Sequence, residues 1–404
     1  MTKRVVLAYS GGLDTSYCAL YLSKELGYEV IAVTINTGGF STEELEQIGD
    51  RALKAGVAKY EVLEETQRYY DKVVQYLLFG NVLKNQTYPL SVSAERIAQA
   101  SALAAYAKKV NAAAVAHGST GAGNDQIRFD MILQNLLPGI ELITPIRDKQ
   151  LSREEEINYL HQAGLDFPSS KATYSINQGL WGTSVGGKET LNSRQNLPES
   201  AWPIQVSKSE PETVQIRFEK GQPVSVNNIR FAHPIQVIKA LHRIASPFGI
   251  GRDIHVGDTI LGIKGRVGFE AAAPLILIKA HHLLEKHVLT KSQLAWKEQI
   301  AQFYGNNLHE GLYLDPVMRN MEAFLESSQE KVSGNVFIKL YPYRFELEGI
   351  ESEHDLMSSK FGTYGEMNRA WSAEDAKGFI RIYGNQNTMY YQINKEENPY
   401  HEYN

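Results

Sequence analysis

The chain carries a single cysteine, Cys18, in 404 residues. That excludes a disulfide framework or a cysteine-based metal site within one chain, and it fits a reducing compartment. The eleven histidines show no metal-ligand spacing. An excess of positive charge is also missing, since 41 Lys and Arg stand against 46 Asp and Glu for a net charge of −5. A nucleic-acid partner that needs a basic face is therefore disfavoured. No stretch approaches the roughly 18 apolar residues of a membrane span. The opening MTKRVVLAYSGG holds an apolar run too short for a secretory leader, so a cytoplasmic location without a membrane partner is expected. Low-complexity tracts are absent as well, and 43% hydrophobic against 22% charged residues is an ordinary globular balance. The length exceeds one typical domain.

What is present is an alternation of strands and helices. Val5 to Tyr9 is a short apolar run without polar interruption, as in a strand buried on both faces. A helical pattern follows from Ser16 to Leu26, stopped by Gly27, and then a second strand, Glu29 to Asn36. Ser41 and Glu44 form a capping box ahead of a helix to about Ala55, and Lys59 to Leu63 is a third strand. Helical segments over 66–79 and 94–109, strands over 111–117 and 142–144, and a helix capped at Ser152 complete this half. The pattern predicts an α/β fold with a doubly wound parallel sheet, in which ligands bind outside the carboxyl ends of the strands. Beyond a polar stretch that begins near Phe167, strands over 213–218, 259–264 and 332–341 mix with helices over 234–245, 274–286 and 316–329, which reads as α+β. A capped helix over 372–383 closed by Gly384 and a polar, aromatic tail end the chain. The expected domains are 1–167, 168–370 and 371–404, the last a C-terminal helix and tail suited to oligomerisation.

The first strand runs into AYSGGLDTS, Ala8 to Ser16, a turn with two glycines, hydroxyls at Ser10, Thr15 and Ser16, and one carboxylate, Asp14. Gly11 and Gly12 permit tight reversal, so backbone N–H groups and a helix N-terminus converge on one spot and form an anion site. The turn lacks the Gly-Lys-Ser/Thr of a Walker A loop, and its glycine spacing is wrong for a dinucleotide fingerprint. Asp14 would repel phosphate unless a divalent cation lies between them, which implies magnesium at Asp14. A bare Ser-Gly-Gly could be no more than a capped turn. The full string is more specific and resembles the PP-loop of the ATP pyrophosphatases, which use ATP to adenylate a carbonyl oxygen and release pyrophosphate.

A second strand-end loop, AHGSTGAGNDQIRFD, places Thr120, Asn124, Asp125 and Arg128 within nine residues, among Gly118, Gly121 and Gly123. Asp125 and Arg128 share a helix face and could pair with each other. They could equally serve a zwitterionic amino acid, with Arg128 on its carboxylate and Asp125 on its ammonium. Here the chain is similar to the argininosuccinate synthase family, in blocks spread along most of its length: AYSGGLDTS, AHGSTGAGNDQIRF, LSREEEINYL, YSINQGLWGTSV, GIKGRVGFEAAA and GFIRIYG.

The resemblance implies ligation of citrulline and aspartate with ATP through a citrullyl-AMP intermediate, releasing AMP and pyrophosphate. It implies that Ala8, Tyr9, Ser10, Gly11, Gly12, Leu13, Asp14, Thr15 and Ser16 hold ATP, with the main chain of Ile35 and Gly118 at its adenosine part. Thr120, Asn124 and Asp125 match the aspartate contacts. Tyr88, Ser93, Asn124, Arg128, Ser175 and Ser184 match citrulline contacts, and Arg96 matches a family arginine. Ser10, Asp14 and Arg128 are the residues on which the chemistry is placed, and a homotetramer exchanging C-terminal segments is implied.

The family block around GIKGR departs here. A glutamate and a tyrosine that contact citrulline are replaced by Gly257 and Phe269. Asp258 and Glu270 are the adjacent acids that could face the substrate ammonium instead; alternatively, the acceptor is an N-acylated citrulline that needs no acid there. A tRNA-modifying adenylating enzyme and a non-catalytic nucleotide sensor are the rival classes. His117 and Cys18 read as packed side chains.

Overall fold

The structure is a computed structural model that describes residues 3–165, 174–359, 361–362, 364–366 and 370–395. The first strand, β1 (Arg4–Ala8), is central, with Val5, Val6 and Leu7 fully buried. It leads through the glycine turn to α1 (Leu13–Lys24), then β2 (Glu29–Asn36), α2 (Thr42–Lys54) and β3 (Lys59–Glu64). Helical chain follows as α3 (Thr66–Tyr69) and α4 (Gln75–Phe79), joined by a π-turn over Tyr70–Val74, and then α5 (Ser91–Lys109). Ala94, Ala100, Ala104 and Ala107 are buried on α5, which lets this helix lie close against the sheet. β4 (Ala114–Ala116), α6 (Asp125–Leu136), β5 (Glu141–Ile143), α7 (Pro145–Lys149) and α8 (Arg153–Gln162) complete this half.

The five strands are parallel in the order β3-β2-β1-β4-β5. The chain winds outward first on one side of β1 and then on the other, so the loops after β1 and β4 leave the sheet at its switch point. Both glycine-rich turns are these loops. The boundary expected at 167/168 lies outside the described residues.

The following part holds two antiparallel sheets. The first is built from β6 (Ser175–Gly179), β7 (Gly182–Gly186), β11 (Arg252–Asp258) and β12 (Lys264–Glu270) in the order β11-β12-β7-β6. The second takes β8 (Glu212–Glu219), β9 (Gln222–Val226), β10 (Ile229–Arg230), β13 (Gly334–Tyr341) and β14 (Arg344–Glu351) in the order β10-β9-β8-β13-β14. Helices α9 (Pro234–Ala245), α10 (Ala272–Val288), α11 (Lys291–His309) and α12 (Pro316–Ser328) pack with them. By contact the chain divides into two compact units, Met1–His354 and Asp355–Asn404. The second unit contains α13 (Ala373–Tyr383), with the Ser372–Asp375 capping box, and α14 (Asn385–Asn394).

Four expectations need correction. The helix after the glycine turn starts at Leu13 rather than Ser16, because Gly11 and Gly12 complete the reversal alone and put Asp14 and Thr15 in the first helical turn. The segment 259–264 is not a separate strand: residues 259–263 are the turn between β11 and β12, closed by the Thr259 N–H on the Ile263 carbonyl at 2.7 Å with Gly262 at φ +82°, and Lys264 already belongs to β12. The segment after Gly384 is helical, since Gly384 stays right-handed at φ −79° and residues 385–394 contain neither glycine nor proline. Helix α11 has no counterpart in the sequence reading, although the Thr290–Gln293 capping box marks its start.

Candidate functional site

At the end of β1 the Tyr9 N–H bonds the Val33 carbonyl at 2.9 Å, and the Thr34 hydroxyl donates to the Tyr9 carbonyl at 2.7 Å. The turn is thereby pinned to β2. Gly11 follows at φ +71°, a left-handed conformation natural to glycine, and extended Gly12 precedes the helix. The Ser10 and Thr15 hydroxyls stand 3.3 Å apart, and the Ser16 hydroxyl lies 3.2 Å from that of Tyr9. Among the described residues no side chain caps α1, so its first N–H groups remain available to an anion.

Two further side chains reach this turn from distant helices. A Cβ on Gly11 would sit 2.7 Å from Nη2 of Arg51 and 3.0 Å from Ile48, both on α2. Among the described residues the buried Arg51 Nε has no hydrogen-bond partner. From α8, the buried Glu156 carboxyl donates a hydrogen bond to the Asp14 carboxylate. Burial, followed by the charge of Asp14, pushes Glu156 up to about 8. Burial raises Asp14 as well, opposed by its bond from Glu156 and by the charge of Arg153. The two carboxyls thus share one proton, and Asp14 carries the charge.

A stability consequence follows. The folded chain keeps the Glu156 proton up to about pH 8, whereas the ordinary carboxyl loses it near 4.5. Over that interval the unfolded chain binds fewer protons, so stability falls as pH rises. Glu156→Gln keeps the donor to Asp14 and has no proton to lose. Its melting temperature is expected to fall less than that of the unmodified chain between pH 5.5 and 8, and equal slopes in thermal scans would contradict the shared proton.

The second turn leans on the first, since a Cβ on Gly118 would meet Asp14 main-chain carbon at 3.2 Å and Asp14 Cβ at 3.3 Å. His117 is buried, bonded to Asp130 Oδ1 at 2.8 Å and accepting the Ser119 N–H at 3.2 Å, which is a structural use. Asp125 and Arg128 do pair, at 3.0 Å. The other Asp125 oxygen accepts from Arg96 Nε at 2.9 Å. Burial alone would raise the Asp125 carboxyl, but the two guanidiniums outweigh it and hold the group below its ordinary value. Arg96 in turn donates to Asn177 Oδ1 on β6 at 2.8 Å. Asn124 Oδ1 accepts the Ile260 N–H from the β11–β12 turn at 2.8 Å.

Arg128 is 3% exposed. Its Nε donates to the His309 carbonyl at 2.9 Å, and its Nη2 lies 3.3 Å from His309 Nδ1. The Ser93 hydroxyl is 3.0 Å from that same nitrogen. Burial first, then the charges of Arg128 and Lys84, drive His309 down to about 3, so its ring is neutral with Nδ1 accepting. Tyr88 packs its ring between His255 at 5.1 Å and Phe269 at 5.3 Å, and its hydroxyl accepts from Ser91 and Val92. Buried Ser184 on β7 is the register partner of Phe269. Ser175 is exposed at the start of β6, on the same strand face as Asn177.

Gly257 has no room for a side chain in this arrangement, because a Cβ there would lie 2.6 Å from His255 Nε2. Glu270 does not take its place. It points to the opposite face of β12 from Phe269, buried 3.8 Å from Arg252 and pushed up to about 7 by burial. Asp258 pairs across the hairpin with Lys264 at 2.6 Å. The sequence therefore marked Tyr88, Ser93, Asn124, Asp125 and Arg128, which the fold gathers, but it missed Arg51, Glu156, Asn177, His255 and His309. Glu156 and Asn177 lie inside the blocks LSREEEINYL and YSINQGLWGTSV without a local sign of these partners, and Arg51, His255 and His309 sit in no motif.

A parallel sheet with an open glycine turn at its switch point defines a nucleotide-binding domain of the HUP class, and the family model of the arginosuccinate synthase N-terminal HUP domain matches residues 4–166. The arginosuccinate synthase C-terminal domain matches residues 174–390. Curated relatives named argininosuccinate synthase align over nearly the whole chain. That of Dictyoglomus thermophilum is 36% identical over 96% of this chain and 97% of its own length. Those of Methanocaldococcus jannaschii and Xylella fastidiosa are each 35% identical, over 98% and 97% of this chain and 100% and 98% of their own. The chain belongs to the argininosuccinate synthase family.

Proposed function

We propose that this chain ligates citrulline and aspartate at the cost of one ATP. The ureido oxygen attacks the α-phosphate and expels pyrophosphate with the electron pair of the broken P–O bond. The aspartate amine then attacks the activated carbon and AMP leaves, giving argininosuccinate. The observation that carries this reading is the convergence of the two glycine turns at the switch point, with Asp14 against Gly118 and the Asp125–Arg128 pair just beyond.

On this reading Ala8 to Ser16 cradle the triphosphate through N–H groups and the Ser10, Thr15 and Ser16 hydroxyls, with the Arg51 charge beside them. The main chain of Ile35 and Gly118 flanks the adenosine. Thr120, Asn124 and Asp125 take aspartate, and Asp125 is ionised and so suited to its ammonium. Arg128, Ser93, Tyr88, Ser184 and Ser175 hold the ureido acceptor, and Phe269 lines its wall. A urea oxygen is already nucleophilic, so the first step needs alignment and charge neutralisation rather than a strong base.

Among the described residues no group of three or more His, Cys, Asp or Glu could enclose a metal. The donors at the turn fit a magnesium ion held mainly by phosphate oxygens, with Asp14 as its one protein carboxylate. Such an ion would neutralise the departing pyrophosphate. The functional division proposed is an ATP-binding N-terminal domain and a second domain that completes the acceptor site. A cytoplasmic homotetramer assembled through the C-terminal segment is the accompanying proposal.

The test is pyrophosphate release from ATP with citrulline and aspartate together, with each alone, and with neither. Release that needs citrulline, with argininosuccinate formed only when aspartate is added, is expected. Cleavage to ADP and phosphate, or no cleavage, would overturn the reading. The relatives' name favours free citrulline over an acylated form or a tRNA base.

A further inference from the structure

Helix α5 buries a carboxylate, Glu95, at 3% exposure, and three segments of chain meet at it. The first is the loop after β2, where the fully buried Thr37 hydroxyl donates to Glu95 Oε1. The second is α5 itself: Gln99 Nε2 donates to the same oxygen at 3.3 Å, and Arg96 Nη1 lies 3.7 Å from Oε2. The third is the β6–β7 hairpin. Gly179 at the end of β6 backs onto the carboxyl so closely that a Cβ there would stand 2.9 Å from Oε2 and 3.1 Å from Cδ.

Loop and hairpin also touch directly, backbone against backbone. A Cβ on Gly39 would overlap the Gln178 carbonyl oxygen, and one on Gly38, at φ +97°, would lie 3.2 Å from Leu180 Cβ. Ser175, Asn177 and Gly179 lie on one face of β6, since alternate residues of a strand share a face. Helix α5 holds that face at two points, Arg96 Nη2 on Asn177 at 2.8 Å and Glu95 against Gly179. Thr37 stands two residues beyond Ile35, just past the end of β2.

We propose that Glu95 is a positioning residue for the first chemical step, holding the nucleotide-bearing loop and the acceptor-bearing hairpin in one register. This rests on the ligase reading above and deepens it. On that reading the main chain at Ile35 flanks the adenosine, while Ser175 and Ser184 on the hairpin hold the ureido acceptor. The approach of the ureido oxygen to the α-phosphate is then set by how the loop sits on the hairpin, and an oxygen that is already nucleophilic depends on that alignment for its rate. The Thr37 hydroxyl has no exposure to water, so the carboxyl is its acceptor and the loop stays where the carboxyl is. Two consecutive residues of α5 thus divide the work. Glu95 ties the loop to the hairpin, and Arg96 ties Asp125 to the same strand.

The experiment measures pyrophosphate release with citrulline and aspartate for Glu95→Ala, Glu95→Gln, Thr37→Val and Gly179→Ala. In Glu95→Ala kcat is expected to fall on the order of tenfold, part of the roughly hundredfold that a 1 Å misplacement can cost, with the KM for ATP and for citrulline within about threefold. Thr37→Val removes the donor at nearly constant volume, and Gly179→Ala pushes a methyl into the carboxyl, so both should show the same split. Glu95→Gln keeps an acceptor for Thr37 and should retain kcat within about threefold. Exchange of labelled pyrophosphate into ATP with citrulline alone reads the first step by itself, and the loss should appear there. Nucleotide sites per chain are counted by equilibrium dialysis with a non-hydrolysable ATP analogue, so that unfolded protein is not scored as lost rate. Should Glu95→Ala bind no nucleotide, Thr37→Val carries the test. An unchanged kcat in Thr37→Val, a loss confined to KM, or a loss absent from the exchange would each overturn the assignment. No pyrophosphate release by the unmodified chain would overturn the ligase reading itself, whereas equal release by that chain and all four variants would overturn the role of Glu95 alone.

Discussion

Gly11→Ala is expected to lower pyrophosphate release by about a hundred- to a thousandfold, the scale seen when one preorganised donor to a developing charge is lost. Two effects act together. At φ +71° an L side chain is strained, at roughly 1–2 kcal/mol. The added methyl would also stand 2.7 Å from Arg51 Nη2 and 3.0 Å from Ile48, so the loop or the guanidinium must move. Either movement turns N–H groups away from the phosphates they have to meet. Because Gly11, although buried, lies in the turn between β1 and α1 and belongs to neither element, the far-UV spectrum should be retained while turnover collapses. An alanine variant within about threefold of the unmodified rate would show that the turn does not grip the leaving group.

Arg128→Lys should strike the other substrate. The guanidinium spends its fork on three partners: the His309 carbonyl, Asp125 and His309 Nδ1. A lysine ammonium cannot meet that planar arrangement, and at 3% exposure no solvent replaces the lost bonds. Two charge-assisted hydrogen bonds at about 1.5–3 kcal/mol each set the upper limit of the effect. The KM for citrulline is expected to rise on the order of a hundredfold, while the KM for ATP changes little, since the phosphate turn is built from other residues. Urea unfolding should also show a loss of about 1–3 kcal/mol from the stranded His309 carbonyl. A citrulline KM within about threefold of the original would remove Arg128 from the acceptor site.

These expectations draw on features of unequal visibility in the chain. The β1 turn and the loop 117–128 are contiguous strings, and their glycines, hydroxyls and charges could be read in order. The 259–264 segment reads as a strand because Ile260, Leu261 and Ile263 give it a strand-like apolar content, and only cross-strand pairing distinguishes a hairpin turn from a strand. Helix α11 went unread for a related reason. Its buried residues Lys297, Ala301, Tyr304 and Leu308 mix charged with apolar side chains, and Trp296 and Phe303 are exposed, so no clean apolar stripe announces it.

The sequence by itself determined what depends on near neighbours. Capping boxes at Ser41, Ser152 and Ser372 start helices at those points because a hydroxyl and a carboxyl three residues apart satisfy each other's backbone. Unbroken apolar runs such as VVLA make strands for a buried sheet. Tertiary structure alone decided which distant side chains finish the site. Arg51 meets Gly11, Glu156 shares a proton with Asp14, and His309 grips Arg128 across 181 positions of chain. Hydrogen bonds and burial act over a few ångströms of space, so a residue's partner is set by how helices pack on the sheet and leaves no mark in the residues beside it.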